Sequence, residues 1–242
     1  MNRQAQAVIM LLFGGAILKA SIGDLYLRYV KEILQPFLIA SALLLIAAGV
    51  MTLWYDLRNP AGEHDHEPDD GHGHKHHEPR VGWLLILPVL GLLLVAPPAL
   101  GAYAAGQSGS ALAGQQAESD YPALPEGDPV EVTMLDYASR AVFDEGKSLT
   151  DRRLLLTGFV TQGPDGQPML ARMILSCCAA DGRPIKVGLS GNVPTAVPSD
   201  TWIEVTGSYT AKTAKDPVNE ATVPYLEVET WQEIPAPKQQ YE

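Results

Sequence analysis

From Ile33 to Tyr55 the chain runs without a charged side chain. A helix needs about 20 mainly apolar residues to cross the hydrocarbon core of a bilayer, and this run is long enough to do so. Val81 to Tyr103 is a second uncharged run of the same kind. It contains Pro88 and the Pro97-Pro98 pair, which would break a helix in water but are tolerated within membranes. Trp54, Tyr55 and Trp83 stand at the ends of these runs, where amphipathic rings prefer the headgroup layer. Both runs therefore predict transmembrane helices.

A third apolar stretch, Ala5 to Leu18, is shorter and is followed at once by Lys19. With Arg3 ahead of it, it has the outline of a signal peptide. Another spanning run, however, comes next where a mature domain would have to begin. An uncleaved helix from about Gln4 to Leu25 fits better, because a lysine near its end can snorkel to the interface. Asp24 to Glu32, with Tyr26, Arg28, Tyr29 and Lys31, then reads as a short amphipathic connector.

The expectation is a membrane region over residues 1–105 with three transmembrane helices and a loop at 56–80. With the N-terminus inside, Arg3, Arg58, Lys75 and Arg80 face Lys19, Arg28 and Lys31 across the membrane. This small excess orients the N-terminus inward under the positive-inside rule. It predicts a multi-pass protein of the cytoplasmic membrane with its C-terminal domain outside the cytoplasm.

All 6 histidines fall in the loop, as His64, His66, His72, His74, His76 and His77. Asp65, Asp69 and Asp70 lie among them, with Glu63, Glu67 and Glu78 close by. Neutral imidazole is the commonest protein ligand for borderline metals, and carboxylates can complete the shell. Gly62, Gly71 and Gly73 let the backbone wrap around an ion. The pattern points to a metal-collecting loop of low selectivity, open to Zn²⁺, Ni²⁺, Cu²⁺ or Co²⁺. The plainer alternative is a solvated polar linker. A catalytic zinc helix is not encoded, since no H-E-x-x-H pattern occurs.

Residues 106–127 are rich in Gly, Ser, Ala and Gln and read as a flexible tether. A soluble domain follows over 128–242. Strands are predicted at Val130 to Met134, Arg152 to Thr161, Met169 to Ser176, Pro184 to Leu189, Thr201 to Thr210 and Tyr225 to Thr230, with a short helix at Asp136 to Asp144. The segments LLLTGFV (Leu154 to Val160) and WIEVTGSY (Trp202 to Tyr209) are alternating strands, each interrupted by a glycine, where a barrel strand bends or bulges. The expected fold is an all-β, OB-like barrel.

Lys plus Arg total 17 against 28 Asp plus Glu, for a formal net charge of -11. Acids also outnumber bases within the C-terminal domain. Such a surface repels phosphate backbones, so the nucleic-acid version of an OB-like barrel is excluded.

The 2 cysteines are adjacent, Cys177 and Cys178, with Asp181 three residues on. Together they could ligate a metal or support thiol chemistry. The competing reading, favoured on the residues alone, has small apolar cysteines at a strand end and a turn at Asp181-Gly182. No histidine lies in the domain to act as a base, so a Cys-His nucleophile is excluded.

The helical hairpin from Ala5 to Tyr55, the His/Asp/Gly loop, the next apolar run, RMILSCCAADGRP at Arg172 to Pro184 and WIEVTG at Trp202 to Gly207 together resemble the YcgQ-type family of bacterial membrane proteins. The CC-x-A-D element is the specific part. Gly182 stands where that family usually has alanine. The resemblance implies an accessory partner of a separate, larger multi-helix permease, with a link to metal handling and no catalytic residues to transfer. The sequence thus leads us to expect a non-enzymatic permease subunit that handles a zinc-like metal. A stand-alone metal sensor or buffer, or an envelope thiol-redox protein using the paired cysteines, is the alternative.

Overall fold

A computed structural model describes residues 3–58, 91, 98–114 and 121–242. The chain divides into two compact units: Met1–Tyr26 with Glu32–Pro97, and Leu27–Lys31 with Pro98–Glu242.

In the first unit, α1 (Arg3–Ile22) and α2 (Gln35–Arg58) pack as a hairpin. Both are long and apolar enough to be candidate membrane spans. The 24 residues of α2 extend about 36 Å at ~1.5 Å per residue, more than the ~30 Å hydrocarbon core. The helices meet through small residues. A Cβ added to Gly14 would come 2.7 Å from Ile46 Cγ1, and one added to Gly49 would come 2.9 Å from Leu11 Cγ. Ala7 and Ala42 are fully buried in the same seam. Close backbone approach of this kind maximises dispersion contact between the two helices. Polar side chains are satisfied within the hairpin. Ser21 Oγ donates to Ile17 O, Thr52 Oγ1 to Ala48 O, and Gln35 Nε2 to Ser21 O. Phe37, Leu44 and Met51 project outward, each about 70% exposed.

The expected third span, Val81 to Tyr103, lies outside the described residues apart from Gly91 and 98–103. Its C-terminal end needs correction. Residues 98–101 carry no helix, in keeping with a proline that cannot donate to a helical ladder. Tyr103 instead belongs to a separate short helix, α3 (Ala102–Gln107). Ala102 and Ala105 of α3 pack with Phe159, Ala171, Met173, Trp202 and Tyr241.

The second unit is built on β1 (Val130–Glu131), α4 (Met134–Phe143), β2 (Arg153–Gln162), β3 (Pro168–Ile174), β4 (Arg183–Gly191), β5 (Trp202–Lys215) and β6 (Thr222–Glu233). The sheet order is β1-β2-β3-β4-β6-β5, and β5 pairs again with β2. Five strands therefore close into a barrel, with β4 and β6 parallel and the remaining barrel pairings antiparallel. This is the OB-like arrangement expected. Short β1 lies parallel to β2 beside Leu154 and Leu155.

Alternation along the strands sends Leu154, Leu156, Leu170, Ile185, Val187, Ile203, Val205 and Leu226 into the core. Amphipathic α4 covers it with Met134, Tyr137, Ala138 and Ala141. Thr133 caps α4 by accepting from Asp136 N, which satisfies an otherwise orphaned donor. The Glu242 carboxylate accepts from Met134 N and Leu135 N at the same terminus. Gly207 sits at a register shift between β5 and β6. A side chain there would run into the Glu227 backbone, so glycine lets the strand bulge and the barrel close.

The segment read as a tether is partly built into the barrel. Ser110, Ala111 and Leu112 are buried, and the two apolar residues join the main core. Their anchor is polar. Asp216 Oδ2 accepts from Ser110 N and from Lys186 Nζ at 2.8 Å, and Lys186 also donates to Ser108 O. Glycine and serine content signalled flexibility, but a buried ion pair across the barrel fixes the backbone.

Candidate functional site

The chain leaves β3 after Ile174 and enters β4 at Arg183, and the intervening turn carries both cysteines. Asp181 organises it. Ser176 N donates to Asp181 Oδ1 at 2.8 Å, Cys177 N to Oδ2 at 2.8 Å, and Cys178 N to Oδ2 at 3.4 Å. A carboxylate folded back onto successive backbone N–H groups is the local turn chemistry that aspartate favours. A short 3₁₀ turn, Ala179–Asp181, closes the loop, with Asp181 N bonded to Cys178 O.

The Cys177 thiol donates to Asp181 Oδ2 at 3.0 Å. That hydrogen bond, with Cys178 beside it, pushes the Cys177 thiol up to about 11. In return, the thiol and the backbone N–H groups of Cys177 and Ser176 hold the Asp181 carboxyl down at about 2. The pair thus keeps its proton on sulfur and its negative charge on oxygen. A protonated thiol is a poor nucleophile, so the turn is not primed for thiol exchange. The ligand atoms of Cys177, Cys178 and Asp181 all lie within 4.8 Å of one another. Cys177 is exposed and Cys178 half-buried, and both are free thiols.

The turn is braced by a segment distant in sequence. Val30 forms an isolated antiparallel bridge with Cys178. Lys31 N donates to Cys177 O at 3.3 Å and Ala179 N to Tyr29 O at 2.6 Å. Tyr241 extends the brace, donating its hydroxyl to Arg28 O at 2.9 Å while accepting from Leu100 N at 2.8 Å. Residues 27–31, which read as a mere connector in the sequence, thus supply a strip of backbone to the barrel domain.

Beside this brace an open groove of about 570 Å³ is lined by Arg28, Leu100, Tyr103, Phe159, Asp200 and Trp202, among others. Phe159 and Trp202 meet edge to face with ring centroids 5.7 Å apart. Asp200 is engaged by the backbone N–H of Ala102.

Of the expected site residues, the structure brings together Cys177, Cys178 and Asp181. His64, His66, His72, His74, His76, His77, Asp65, Asp69 and Asp70 lie outside the described residues. Tyr29, Val30, Lys31 and Tyr241 were not legible as parts of the site. Their contributions are mostly backbone atoms and one hydroxyl, and nothing in the local pattern marks them.

No curated protein and no solved structure matches the chain. A family model does match, the DUF1980 C-terminal domain, over residues 116–242. The matched span includes the whole barrel and the CC-x-A-D turn. The chain belongs to the DUF1980 family of YcgQ-like proteins.

Proposed function

We propose that this protein is a non-enzymatic accessory subunit of a membrane permease in the cytoplasmic membrane, linked to the handling of a zinc-like transition metal through its histidine-rich loop. The observation that carries the reading is the helical hairpin. Its two helices fill their own seam with Ala7, Gly14, Ala42 and Gly49 and turn Phe37, Leu44 and Met51 outward. The described hairpin, even with the third helix expected from the sequence, is too small to enclose a pathway with alternating access, which normally needs repeated, broken helices. An outward apolar face is instead suited to docking against a larger helical bundle.

The metal part of the reading rests on the clustering of six histidines among carboxylates. The thiol-redox alternative loses support, because the Asp181 carboxylate stabilises the protonated form of Cys177.

The test places a photo-crosslinking residue at Phe37, Leu44 or Met51 in the full chain expressed in native membranes. The expected product is a covalent adduct with a large multi-helix protein, reproducible at outward positions and absent at Ala42. Adducts with lipid or a second copy alone would overturn the permease reading and leave a stand-alone metal sensor or buffer.

A further inference from the structure

We infer that Cys177, Cys178 and Asp181 form a metal site of the barrel domain, separate from the histidine loop, which takes a thiophilic divalent ion of the Zn²⁺ type through two sulfurs and one oxygen. The inference goes beyond the permease reading and stands on different residues.

The donor spacing is near what the ion requires. Tetrahedral zinc with bonds of ~2.3 Å to sulfur and ~2.1 Å to oxygen separates S from O by about 3.6 Å and S from S by about 3.8 Å. Cys177 Sγ lies 3.0 Å from Asp181 Oδ2, and no pair among the three ligand atoms is more than 4.8 Å apart. The thiol proton of Cys177 already occupies the line between sulfur and carboxylate. When the ion bonds to each sulfur, the S–H bond breaks and the proton passes to solvent. The bonds from Ser176 N and Cys177 N to Asp181 need not break, so the turn keeps its shape.

Two further features separate this site from a chance cluster. Its backbone is braced by Tyr29 and Lys31, so the donors stand on an anchored segment. Cys177 is exposed, which gives an ion a route in. Two thiolates favour zinc-like or softer ions over Mg²⁺ or Ca²⁺. Three protein donors leave the fourth tetrahedral position to water or to an incoming ligand.

The experiment uses the full chain in detergent with residues 62–78 deleted, so that the histidines cannot mask the barrel site. Co²⁺ serves as the probe, because thiolate ligation gives it a charge-transfer absorption that imidazole and carboxylate do not. The expected result is one equivalent of Co²⁺ bound with that absorption and displaced by Zn²⁺. Cys177→Ser and Cys178→Ser should each weaken binding at least ten-fold and reduce the band. Should a serine variant fail to fold, a second measurement applies: Zn²⁺ should protect both thiols of the loop-deleted parent from maleimide. Absence of the thiolate band in the loop-deleted protein, a band that survives double serine substitution, or unprotected thiols would overturn the inference. None of these outcomes bears on whether a permease partner is captured.

Discussion

Val30 and Cys178 are paired as an antiparallel bridge although 147 positions separate them in the chain, and the bridge is closed by Ala179 N on Tyr29 O and Lys31 N on Cys177 O. The Ala179 amide is the natural reporter of this brace. Lys31→Pro removes the donor on one side of the bridge and restricts the residue before it. Hydrogen exchange of the full chain should then show faster exchange at Ala179 and its neighbours, while core amides of β4 and β6 keep their protection. Unchanged exchange at Ala179 would mean that the turn holds its shape without residues 29–31.

Asp181 and Cys177 make a second, pH-dependent prediction. The carboxylate accepts the thiol proton and so favours the neutral sulfur, with the thiol at about 11 against an ordinary 9.0. Asp181→Asn removes the charge, and the midpoint for alkylation of Cys177 by iodoacetamide should fall toward the ordinary value. The carboxyl itself sits at about 2 against an ordinary 3.8. Because the folded value is the lower one, its support of the turn is fully present above the unfolded value and is lost as the pH falls through about 2. Acid titration followed by exchange at Ser176 and Cys177 would check this. An unchanged alkylation profile in the Asn variant would show that another group holds the proton.

The Lys186–Asp216 pair gives the third. Both side chains are almost wholly out of solvent, 7% and 0% exposed. Burial works to raise the Asp216 carboxyl, but the Lys186 ammonium together with N–H groups of Val218 and Ser110 outweighs it and holds the carboxyl below its ordinary value. Lys186→Met leaves a buried charge without its partner and should cost about 3–5 kcal/mol of stability. The double variant Lys186→Met, Asp216→Leu should recover part of that loss, since a well-packed apolar pair can replace a buried ion pair. Chemical denaturation of the three proteins side by side measures both effects. A loss in the single variant below about 1 kcal/mol would place the pair among the weak surface type.

The barrel was readable because its strands alternate cleanly. Six predicted strands correspond to β1 to β6 within a few residues, although β1 stops at Glu131 because Thr133 begins a helix cap. The glycine interruptions at Gly158 and Gly207 marked places where a Cβ would meet a neighbouring strand. The tether was misjudged for a physical reason. Composition reports the entropy a segment loses on ordering, not the partners that repay it, and Asp216 and Lys186 lie far along the chain from Ser110. The cysteine turn was recognised as distinctive, since Asp181 lies only three to five residues from the groups it binds. Its brace from Tyr29 to Lys31 was hidden, because backbone donors and acceptors are present at almost every residue and only the fold decides which are used.

Closure of β5 onto β2 has a consequence for how copies of the domain meet. An open sheet presents a row of unpaired amides and carbonyls that a neighbouring copy can extend. Here each of the five barrel strands has a partner on both sides over part of its length, and the unpaired edges that remain are short: the two-residue β1 and the ends of β5 and β6. Copies that meet have little unpaired strand to offer one another. Lateral encounters between these domains should therefore be governed by their acidic surfaces, which repel.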